Sequence, residues 1–480
     1  MIRRIWGPLA VTGFERRLCR RPRVLGEARR GPSRPPSTVQ RRLCRRNAVL
    51  GEARRGPMTG RRCDVLVVGG GPGGSTAAAL LAQKDFSVLV VERESFPRFH
   101  IGESLLPANV PLLDRLGVHD ALRKAGPLVK YGATFYDQES DHEHTFYFMR
   151  GRSVPNYGYQ VQRAEFDSIL LEHARSSGAE VLQPATAERP TFDDDGVTVT
   201  LDEAGARSEV RARFLVDASG RDGFLASSIG RRERVPNLGK VALFAHHRGA
   251  TRAAGIDEGN IRIFIFPDGW FWWIPFAGDV TSVGCVLHAK TVRGRDGAID
   301  ALYEGMIARV PRVAEGLHAA TRVTPVHRAA NFAYVNRPIV GDRFVSIGDA
   351  VAFVDPIFSA GVYIAMQSAE LAVPAIARAL RTNRFATKRF RDYERDLAFG
   401  IRPFFQFIER YYEPAFLEIF LRPRSFLGML DAVTGVLAGA AFHRMPWRMR
   451  VSLNVFFTIA RINYWVRRLQ GRPVESRLEW

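Results

Sequence analysis

The sequence predicts an α/β fold with three parts: a Rossmann-like domain, an antiparallel β-sheet lobe and an α-helical C-terminal tail. Residues 63–93 have the order strand, glycine turn, helix and strand of a βαβ unit. Residues 261–288 alternate in polarity over two strands, as an antiparallel sheet does. Beyond residue 375, Phe and Tyr recur at helical spacing.

These patterns divide the chain, whose 480 residues are too many for one compact core. We expect the Rossmann-like domain at 58–375. The sheet lobe is predicted as insertions into it, at about 125–160 and 235–335. The helical C-terminal region takes 376–480.

Residues 1–57 form a basic leader that we exclude from the predicted fold. The leader holds 16 Arg and three Glu, a net +13 of the chain's +20. Residues 16–32 recur at 41–57 with two differences in seventeen positions, and Met58 follows at once. Structural repeats usually diverge more than this, so we interpret the leader as a translated upstream repeat with the start at Met58. A disordered basic arm and a transit peptide are the alternatives.

The remaining composition indicates a globular, cytoplasmic protein. Hydrophobic residues make up 46% and charged residues 25% of the chain. No run of about eighteen uncharged apolar residues predicts a membrane span. The four cysteines show neither metal-ligand spacing nor a disulfide framework, so we expect no metal site and a reducing compartment. Outside the leader the net charge is only +7, so no nucleic-acid partner is expected.

The glycine turn in 63–93 fits a dinucleotide-binding fingerprint. Gly69, Gly71 and Gly74 have the spacing G-x-G-x-x-G. The first permits a tight turn, the second lets a pyrophosphate approach the backbone, and the third lets helix and strand close up. The helix directs its positive end at the phosphates. Glu92 ends the second strand, where a carboxylate can hold ribose hydroxyls.

Two distant segments favour FAD over NAD. "RFLVDASGRDG" (213–223) is a second apolar strand that enters a small-residue turn. The stretch 343–373 is a strand ending in Gly348-Asp349-Ala350, followed by a helix from near Gly361. A helix N-terminus there stabilises the negative charge of reduced flavin. This order of segments resembles FAD-binding domains of the glutathione-reductase type, which implies FAD as the cofactor.

The layout resembles flavoproteins in which an Asp at this strand end hydrogen-bonds the ribityl chain. That resemblance implies Asp349 as a flavin ligand, with a simple turn residue as the alternative. The same proteins carry an Arg near the phosphates, which implies that role for Arg163, just before a helix. A solvated charge at a helix start is the alternative for Arg163.

Four motifs together resemble flavin-dependent halogenases: the glycine fingerprint, "FPRFHIGESLLPA" (96–108), W-x-W-x-I-P (270–275) and F-x-x-P-x-x-S-x-G (353–361). The likeness runs from about 62 to 375, and the Trp motif is the distinctive one. It implies that reduced FAD, O2 and chloride or bromide produce hypohalous acid, which halogenates an electron-rich aromatic substrate, free or bound to a carrier protein. The chain has no second nucleotide motif, so a separate flavin reductase is expected to supply reduced FAD.

The same resemblance implies a halide site at Ser359, Ala360 and Gly361. Backbone N–H groups at a helix start can form an anion nest there. An ordinary helix cap at Ser359 is the alternative.

Lys130, in "GPLVKYGATFYD" (126–137), matches the lysine that the family places between flavin and substrate. In the family this lysine receives hypohalous acid, by hydrogen bond or as a chloramine. Burial among apolar neighbours would lower its pKa and favour the neutral amine. A lysine reaching the surface is the alternative.

Phe358 stands where tryptophan halogenases carry a Glu that assists the lysine. In this respect the chain resembles the phenol- and pyrrole-type members, which argues against free tryptophan as substrate. The general base stays unassigned among Glu103, His100 and His327.

The three tryptophans of "GWFWWIP" (269–275) raise the question of a reaction chamber. Strand alternation puts Trp270 and Trp272 on one face, and the other face holds Phe271 and Trp273. One face is expected to line the chamber, where the family's motif keeps the organic substrate off the flavin. Packing of all three Trp in the core is the alternative. The predicted chamber wall consists of Trp270, Trp272, Ile274, Pro275 and Phe358.

The helices beyond residue 375 are expected to cap the active site and set substrate choice, since an aromatic pocket suits a flat ring. Arginines flank the apolar helix at 449–470, so contact with a membrane surface or an acidic carrier protein is a second use. Helix packing with solvated arginines is the alternative.

Two rival functions stay open. A monooxygenase or prenyl-chain reductase of the same fold shares the dinucleotide and Gly-Asp-Ala motifs but does not need Lys130. A non-catalytic protein that binds nucleic acid or membrane would depend on residues 1–57.

Overall fold

The fold is described from a computed structural model of the chain. The structure describes residues 60–148, 154–235, 239–293, 298–330, 333–353, 355–423, 426–440, 442 and 446–474. The predicted leader, residues 1–57, lies outside these ranges. Within them, none of the helices combines the length and apolar character needed to cross a bilayer.

Within the described ranges, the strands form two large sheets and two small ones. The first large sheet has the order β19-β20-β10-β1-β2-β7, and β9 joins β10 to β8. The second has the order β16-β12-β15-β14-β13-β4-β5, with β17 also on β12. The strands of the described residues are, in chain order, β1 (Arg61–Val68), β2 (Val88–Val91), β3 (Leu128–Lys130), β4 (Gly132–Asp137), β5 (His142–Tyr147), β6 (Gly158–Gln160), β7 (Glu180–Leu182), β8 (Thr186–Phe192), β9 (Val197–Glu203), β10 (Ala206–Asp217), β11 (Arg231–Arg234), β12 (Lys240–Arg248), β13 (Ile261–Phe266), β14 (Gly269–Pro275), β15 (Val280–His288), β16 (Thr321–Arg322), β17 (His327–Ala330), β18 (Tyr334–Arg337), β19 (Val340–Gly341), β20 (Phe344–Ser346) and β21 (Ala352–Phe353).

The centre of the first sheet is parallel, and it gathers three distant motifs at one edge. β1 pairs in parallel with β2 and β10, and β10 pairs in parallel with β20. Residues 65–68 of β1 are at most 6% exposed, as a strand covered on both faces requires. The glycine turn after β1, the turn after β10 and Gly348 after β20 therefore meet at the carboxyl edge of the sheet, where ligands bind in such folds.

The second sheet confirms the predicted antiparallel lobe, with one exception. Its strands come from 132–147 and 240–330, and β13 pairs with β4 in parallel. The two faces of β14 enter different cores. Trp272 packs over Gly284, where a Cβ would come within 2.1 Å of the indole. Trp273, on the other face, packs over Gly316 with a corresponding distance of 2.7 Å.

The helical C-terminal tail is also confirmed. Its long helices bury an aromatic face on the first domain and on one another. The helices are α1 (Pro72–Ala82), α2 (Asn109–Leu116), α3 (His119–Lys124), α4 (Arg163–Ser176), α5 (Phe224–Ser228), α6 (Ala289–Val292), α7 (Ile299–Ala308), α8 (Pro311–Leu317), α9 (Gly361–Thr382), α10 (Arg391–Tyr411), α11 (Pro414–Leu421), α12 (Met429–Leu437) and α13 (Trp447–Leu469).

Candidate active site

A cavity of about 480 Å³ lies where the two large sheets face each other. Its wall begins at the glycine turn after β1 and includes the start of α9 and one face of β14. Predicted site residues that line it are Gly69, Gly71, Glu92, Arg163, Trp270, Trp272, Ile274, Asp349, Ser359 and Gly361.

The three glycines of the turn have different surroundings. Gly69 has φ +104°, and a Cβ there would lie 2.4 Å from the Ala218 carbonyl oxygen. At Gly74 a Cβ would lie 1.9 Å from the Gly69 carbonyl oxygen. These two positions need glycine for the turn itself. A Cβ at Gly71 would meet only the Arg98 guanidinium, at 3.5 Å, so the backbone there is open to the cavity.

Glu92 is held by the backbone at the end of β2. Its carboxylate accepts from the Gly70 N–H at 2.7 Å and from the Glu94 N–H at 2.9 Å. Such bonds fix the carboxylate at the cavity rim and leave it with remaining acceptor capacity.

Arg163 is buried, and its guanidinium already forms hydrogen bonds within the protein. Its guanidinium forms two hydrogen bonds to Asp167, at 2.7 and 2.8 Å, and donates to the Ile101 carbonyl oxygen. Its positive charge at the cavity wall is therefore largely balanced by Asp167.

Arg98, which the sequence reasoning missed, is a better candidate than Arg163 for binding an anionic ligand. It lines the cavity beside Gly71 and lies 3.6 Å from Asp167. Its Nε and Nη1 atoms are buried without a hydrogen-bond partner. Buried donors are costly unless bonded, so they fit the pyrophosphate of a dinucleotide. Its position inside "FPRFHIGESLLPA", three residues before Ile101, was the available signal.

Asp349 follows β20 and faces the cavity. Burial raises the pKa of its carboxyl to about 6, against the positive charges of Arg221 and Arg163. A cavity-facing carboxyl group suits a polyhydroxyl chain, because it can accept hydrogen bonds from it.

The chain from Asp355 to α9 forms a tight turn. The turn Pro356–Phe358 leads to Ser359 in the left-handed conformation (φ 53°, ψ 26°), and Ala360 is right-handed (φ −82°, ψ −12°). This alternation converges successive N–H groups. Among the described residues, no backbone carbonyl accepts from the Ala360 or Gly361 amide. We name residues 355–361, which contain the predicted halide site, the halide turn.

Lys130 is 1% exposed in β3. Burial lowers the pKa of its amine to about 7. The amine donates to Ser104 Oγ at 2.6 Å, and Ser104 lines the cavity whereas Lys130 does not. Gly158 on the paired strand leaves room for the side chain, since a Cβ there would lie 3.2 Å from Lys130 Cε.

The three candidate bases differ in their surroundings. Glu103 lines the cavity and lies 2.8 Å from Nε2 of the buried His246, a partner that the sequence reasoning missed. Burial lowers the pKa of His100 to about 3, so this ring is neutral at ordinary pH. His327 stacks on Phe99 with ring centroids 4.2 Å apart, and burial lowers its pKa. Glu103 is therefore the candidate that combines a buried histidine partner with the cavity wall.

Two members of the predicted chamber wall lie elsewhere. Trp270, Trp272 and Ile274 line the cavity. Pro275 ends β14, where it pairs with Thr281 away from the cavity. Phe358 packs edge-on against the aromatic rings of α10.

No group of three or more His, Cys, Asp or Glu in the described parts of the chain could hold a metal ion. Cys63 and Cys285 are free thiols.

Comparison with known proteins decides the family. The family model described as FAD binding domain matches residues 62–396. A 1H-pyrrole-2-carbonyl-[peptidyl-carrier protein] chlorinase of Pseudomonas fluorescens is 33% identical over 398 residues, which cover 78% of this chain and 89% of the relative. The chain belongs to the flavin-dependent halogenases.

Two further halogenases support the same conclusion. Tryptophan 2-halogenase of Chondromyces crocatus is 35% identical over 325 residues, 65% of this chain but only 60% of that relative. The solved structure of flavin-dependent brominase Bmp2 has a TM-score of 0.76 and 28% identity, and the match covers 84% of this halogenase and all (100%) of the brominase. The predicted family, the FAD cofactor and the enzyme class are confirmed, which decides against a non-catalytic binding protein.

Proposed function

We propose that this halogenase acts on an electron-rich aromatic substrate and that the Lys130 amine receives the hypohalous acid. Bound reduced FAD, with O2 and chloride or bromide, supplies that acid. The observation that carries the proposal is the buried Lys130, whose pKa of about 7 leaves much of the amine neutral near pH 7. A neutral amine can act as a nucleophile. Its contact with Ser104 connects it to the cavity wall.

The halide turn is the proposed site for chloride or bromide. Ala360 and Gly361 offer amides at the start of the 22-residue helix α9, and Ser359, whose own amide donates to the Pro356 carbonyl oxygen, precedes them. The positive end of the helix favours an anion at this point.

The proposed FAD contacts all come from the Rossmann-like domain. Gly71 and Arg98 suit the pyrophosphate, because one exposes backbone and the other has unpaired buried donors. Glu92 suits the ribose and Asp349 the ribityl hydroxyls. Arg163 contributes through Asp167, which also pairs with Arg98.

The indoles of β14 have a separate proposed role. Trp270 and Trp272 present a continuous apolar wall to the cavity. Such a wall keeps water and the organic substrate away from the flavin, so that halide oxidation is favoured over oxygen transfer to the substrate.

A pyrrole or phenol, free or bound to a carrier protein, is the proposed substrate. The chlorinase relative acts on a carrier-bound pyrrole. Phe358 packs with Tyr411 and Phe420 in a buried aromatic cluster outside the cavity lining. A Phe at this position replaces the Glu expected of tryptophan-type members.

A partner protein and a cellular location are proposed in addition. A separate flavin reductase supplies reduced FAD, since one dinucleotide fingerprint is present in the sequence. The cytoplasm, where free thiols persist, stays the proposed location.

The outer face of α13 is the proposed contact with an anionic membrane surface. Residues 447–474 contain six Arg and no acidic residue. Large apolar side chains on this helix are 42–86% exposed, a combination typical of interfacial helices. They are Trp447, Val451, Ile462, Trp465, Val466 and Leu469.

Vesicle sedimentation tests this contact. The chain should sediment with phosphatidylglycerol vesicles and not with phosphatidylcholine vesicles, and Trp465→Ser with Leu469→Ser should abolish it. Ile256→Ser, which removes an exposed apolar residue elsewhere, is the matched control. Binding to neither vesicle, or only to an acidic carrier protein, would contradict the membrane proposal.

Mass spectrometry tests the proposed reaction. The full chain is incubated with FAD, a flavin reductase, bromide and a panel of phenols, pyrroles and indoles, free and carrier-bound. We expect the paired bromine isotope peaks on a phenol or pyrrole. Hydroxylated products alone, or bromination of free tryptophan only, would refute the proposal.

A further inference from the structure

One tyrosine hydroxyl connects the C-terminal helices to the halide turn and to the indole wall. We propose that Tyr412 is a positioning residue that holds Trp270 against the cavity and draws the Asp355 carboxylate away from the halide amides. The inference rests on the proposed halide site and assigns part of its geometry to a segment outside the four motifs.

Tyr412 is buried, and its hydroxyl both donates and accepts a hydrogen bond. Tyr412, immediately after α10, is 7% exposed. Its hydroxyl donates to Asp355 Oδ2 at 2.6 Å and accepts from Trp270 Nε1 at 3.1 Å. The ammonium of Lys240 lies 4.5 Å from the centre of its ring. The side chain therefore joins three segments that are far apart in sequence.

Asp355 transmits this contact to the halide turn. Its Oδ1 accepts from the Ile357 N–H at 3.0 Å and so caps the turn Pro356–Phe358. That turn sets the left-handed Ser359 and thereby the direction of the amides that follow. Both Asp355 and Trp270 line the cavity. A shift of either side chain changes the space beside the proposed halide position.

The hydrogen bond from Tyr412 to Asp355 has a second consequence, which is electrostatic. A carboxylate inside the halide turn repels an anion bound to the same turn. The Tyr412 hydroxyl and the Ile357 N–H take up both oxygens of Asp355, and the charge of Lys240 opposes its negative charge. Without the hydroxyl, one oxygen loses its donor and the carboxylate is free to turn toward the amides.

The preceding residue provides a matched control. Tyr411 is also buried, at 1% exposure, but its hydroxyl has no hydrogen-bond partner within the described residues. Its ring packs edge-on against Phe358, with centroids 5.6 Å apart. Removing the hydroxyl of Tyr411 therefore changes size and polarity as in Tyr412 but breaks no observed bond.

The experiment compares Tyr412→Phe with Tyr411→Phe in the full FAD-loaded chain. Bromide binding is followed by the line width of the bromide NMR signal, and bromination by KM for bromide and kcat. Losing a hydrogen bond to a charged group corresponds to about tenfold in an equilibrium constant. We expect Tyr412→Phe to weaken bromide binding and raise the bromide KM about tenfold, with more hydrogen peroxide per O2 consumed. Tyr411→Phe should stay within about twofold of the wild type.

The outcomes separate this inference from the proposed reaction. Equal bromide binding in the two variants overturns the positioning role even if both brominate. A loss of FAD affinity in Tyr412→Phe, measured by flavin fluorescence, also overturns it, because the effect then acts through the cofactor. If wild type and Tyr411→Phe form no brominated product, the proposed reaction fails, whereas the NMR comparison still decides the role of Tyr412.

Discussion

Two buried lysines lie near the active site, Lys130 in β3 and Lys240 at the start of β12. Each is 1% exposed, and each has its ammonium near an aromatic ring, 5.5 Å from Phe148 and 4.5 Å from Tyr412. Their polar surroundings differ. Lys130 contacts the Ser104 hydroxyl, and burial lowers its pKa to about 7.

Lys240 instead lies close enough to a carboxylate, that of Asp355, to act on it electrostatically. Burial raises the pKa of Asp355 to about 6, and the positive charge of Lys240 opposes that rise. Burial disfavours a charged amine, and a nearby opposite charge favours it. Burial alone therefore does not define the role of a lysine: the nearby Asp355 carboxylate favours a charged Lys240, whereas Lys130 has a hydroxyl partner and a lowered pKa.

Removal of Lys240 should have the largest effect on stability. Lys240→Met removes a positive charge that opposes the burial cost of the Asp355 carboxylate, and leaving a buried charged group with less compensation costs about 3 kcal/mol. The free energy of unfolding, from urea titration of the FAD-free chain at pH 7.5, should fall by that amount. An unchanged value would show that Lys240 and Asp355 are not coupled.

The same substitution at Lys130 should act in the opposite direction. The unfolded lysine holds its proton up to about pH 10.5, whereas the folded one releases it near 7. The unfolded state thus binds more protons between these values, so wild-type stability rises with pH across this window. Lys130→Met should be more stable than wild type below pH 7 by at least about 2 kcal/mol, since each pKa unit of the shift corresponds to about 1.4 kcal/mol. This advantage should shrink toward pH 10.5; a destabilised variant would mean that Lys130 has a counter-charge.

The pH dependence of halogenation should show the smallest of these effects. With a pKa near 7, the neutral fraction of the Lys130 amine is about tenfold lower at pH 6 than at pH 8. Product formation at saturating bromide should fall by the same factor. The rate of flavin oxidation, recorded in the same samples, is the control and should vary much less.

The nucleotide end of the cavity was predictable because its residues are local. Gly69, Gly71 and Gly74 act within one turn, and Glu92 ends the next strand of the same βαβ unit. The turn needs Gly69 and Gly74 for steric reasons that the spacing already expresses. The alternation of side chains along a strand likewise predicts which residues share each face of β14.

The end of the cavity lined by Glu103 and β14 was less predictable because its contacts join segments that are distant in sequence. His246 meets Glu103 across 143 positions, and Tyr412 meets Trp270 across 142. No local spacing in the sequence predicts either contact. Phe358 was expected at the cavity from its motif position, but the aromatic side chains of α10 draw it to another side of the turn.

The central claim, that Lys130 receives the oxidised halogen, is tested most directly by the yield of product per O2. Wild type and Lys130→Met are loaded with FAD, reduced, and mixed with O2, bromide and the aromatic substrate found by the panel. We expect both proteins to consume O2 at similar rates, with brominated product at least about a hundredfold lower in Lys130→Met and peroxide or free hypobromous acid in its place. Brominated product within about twofold of the wild-type yield would contradict the role of Lys130.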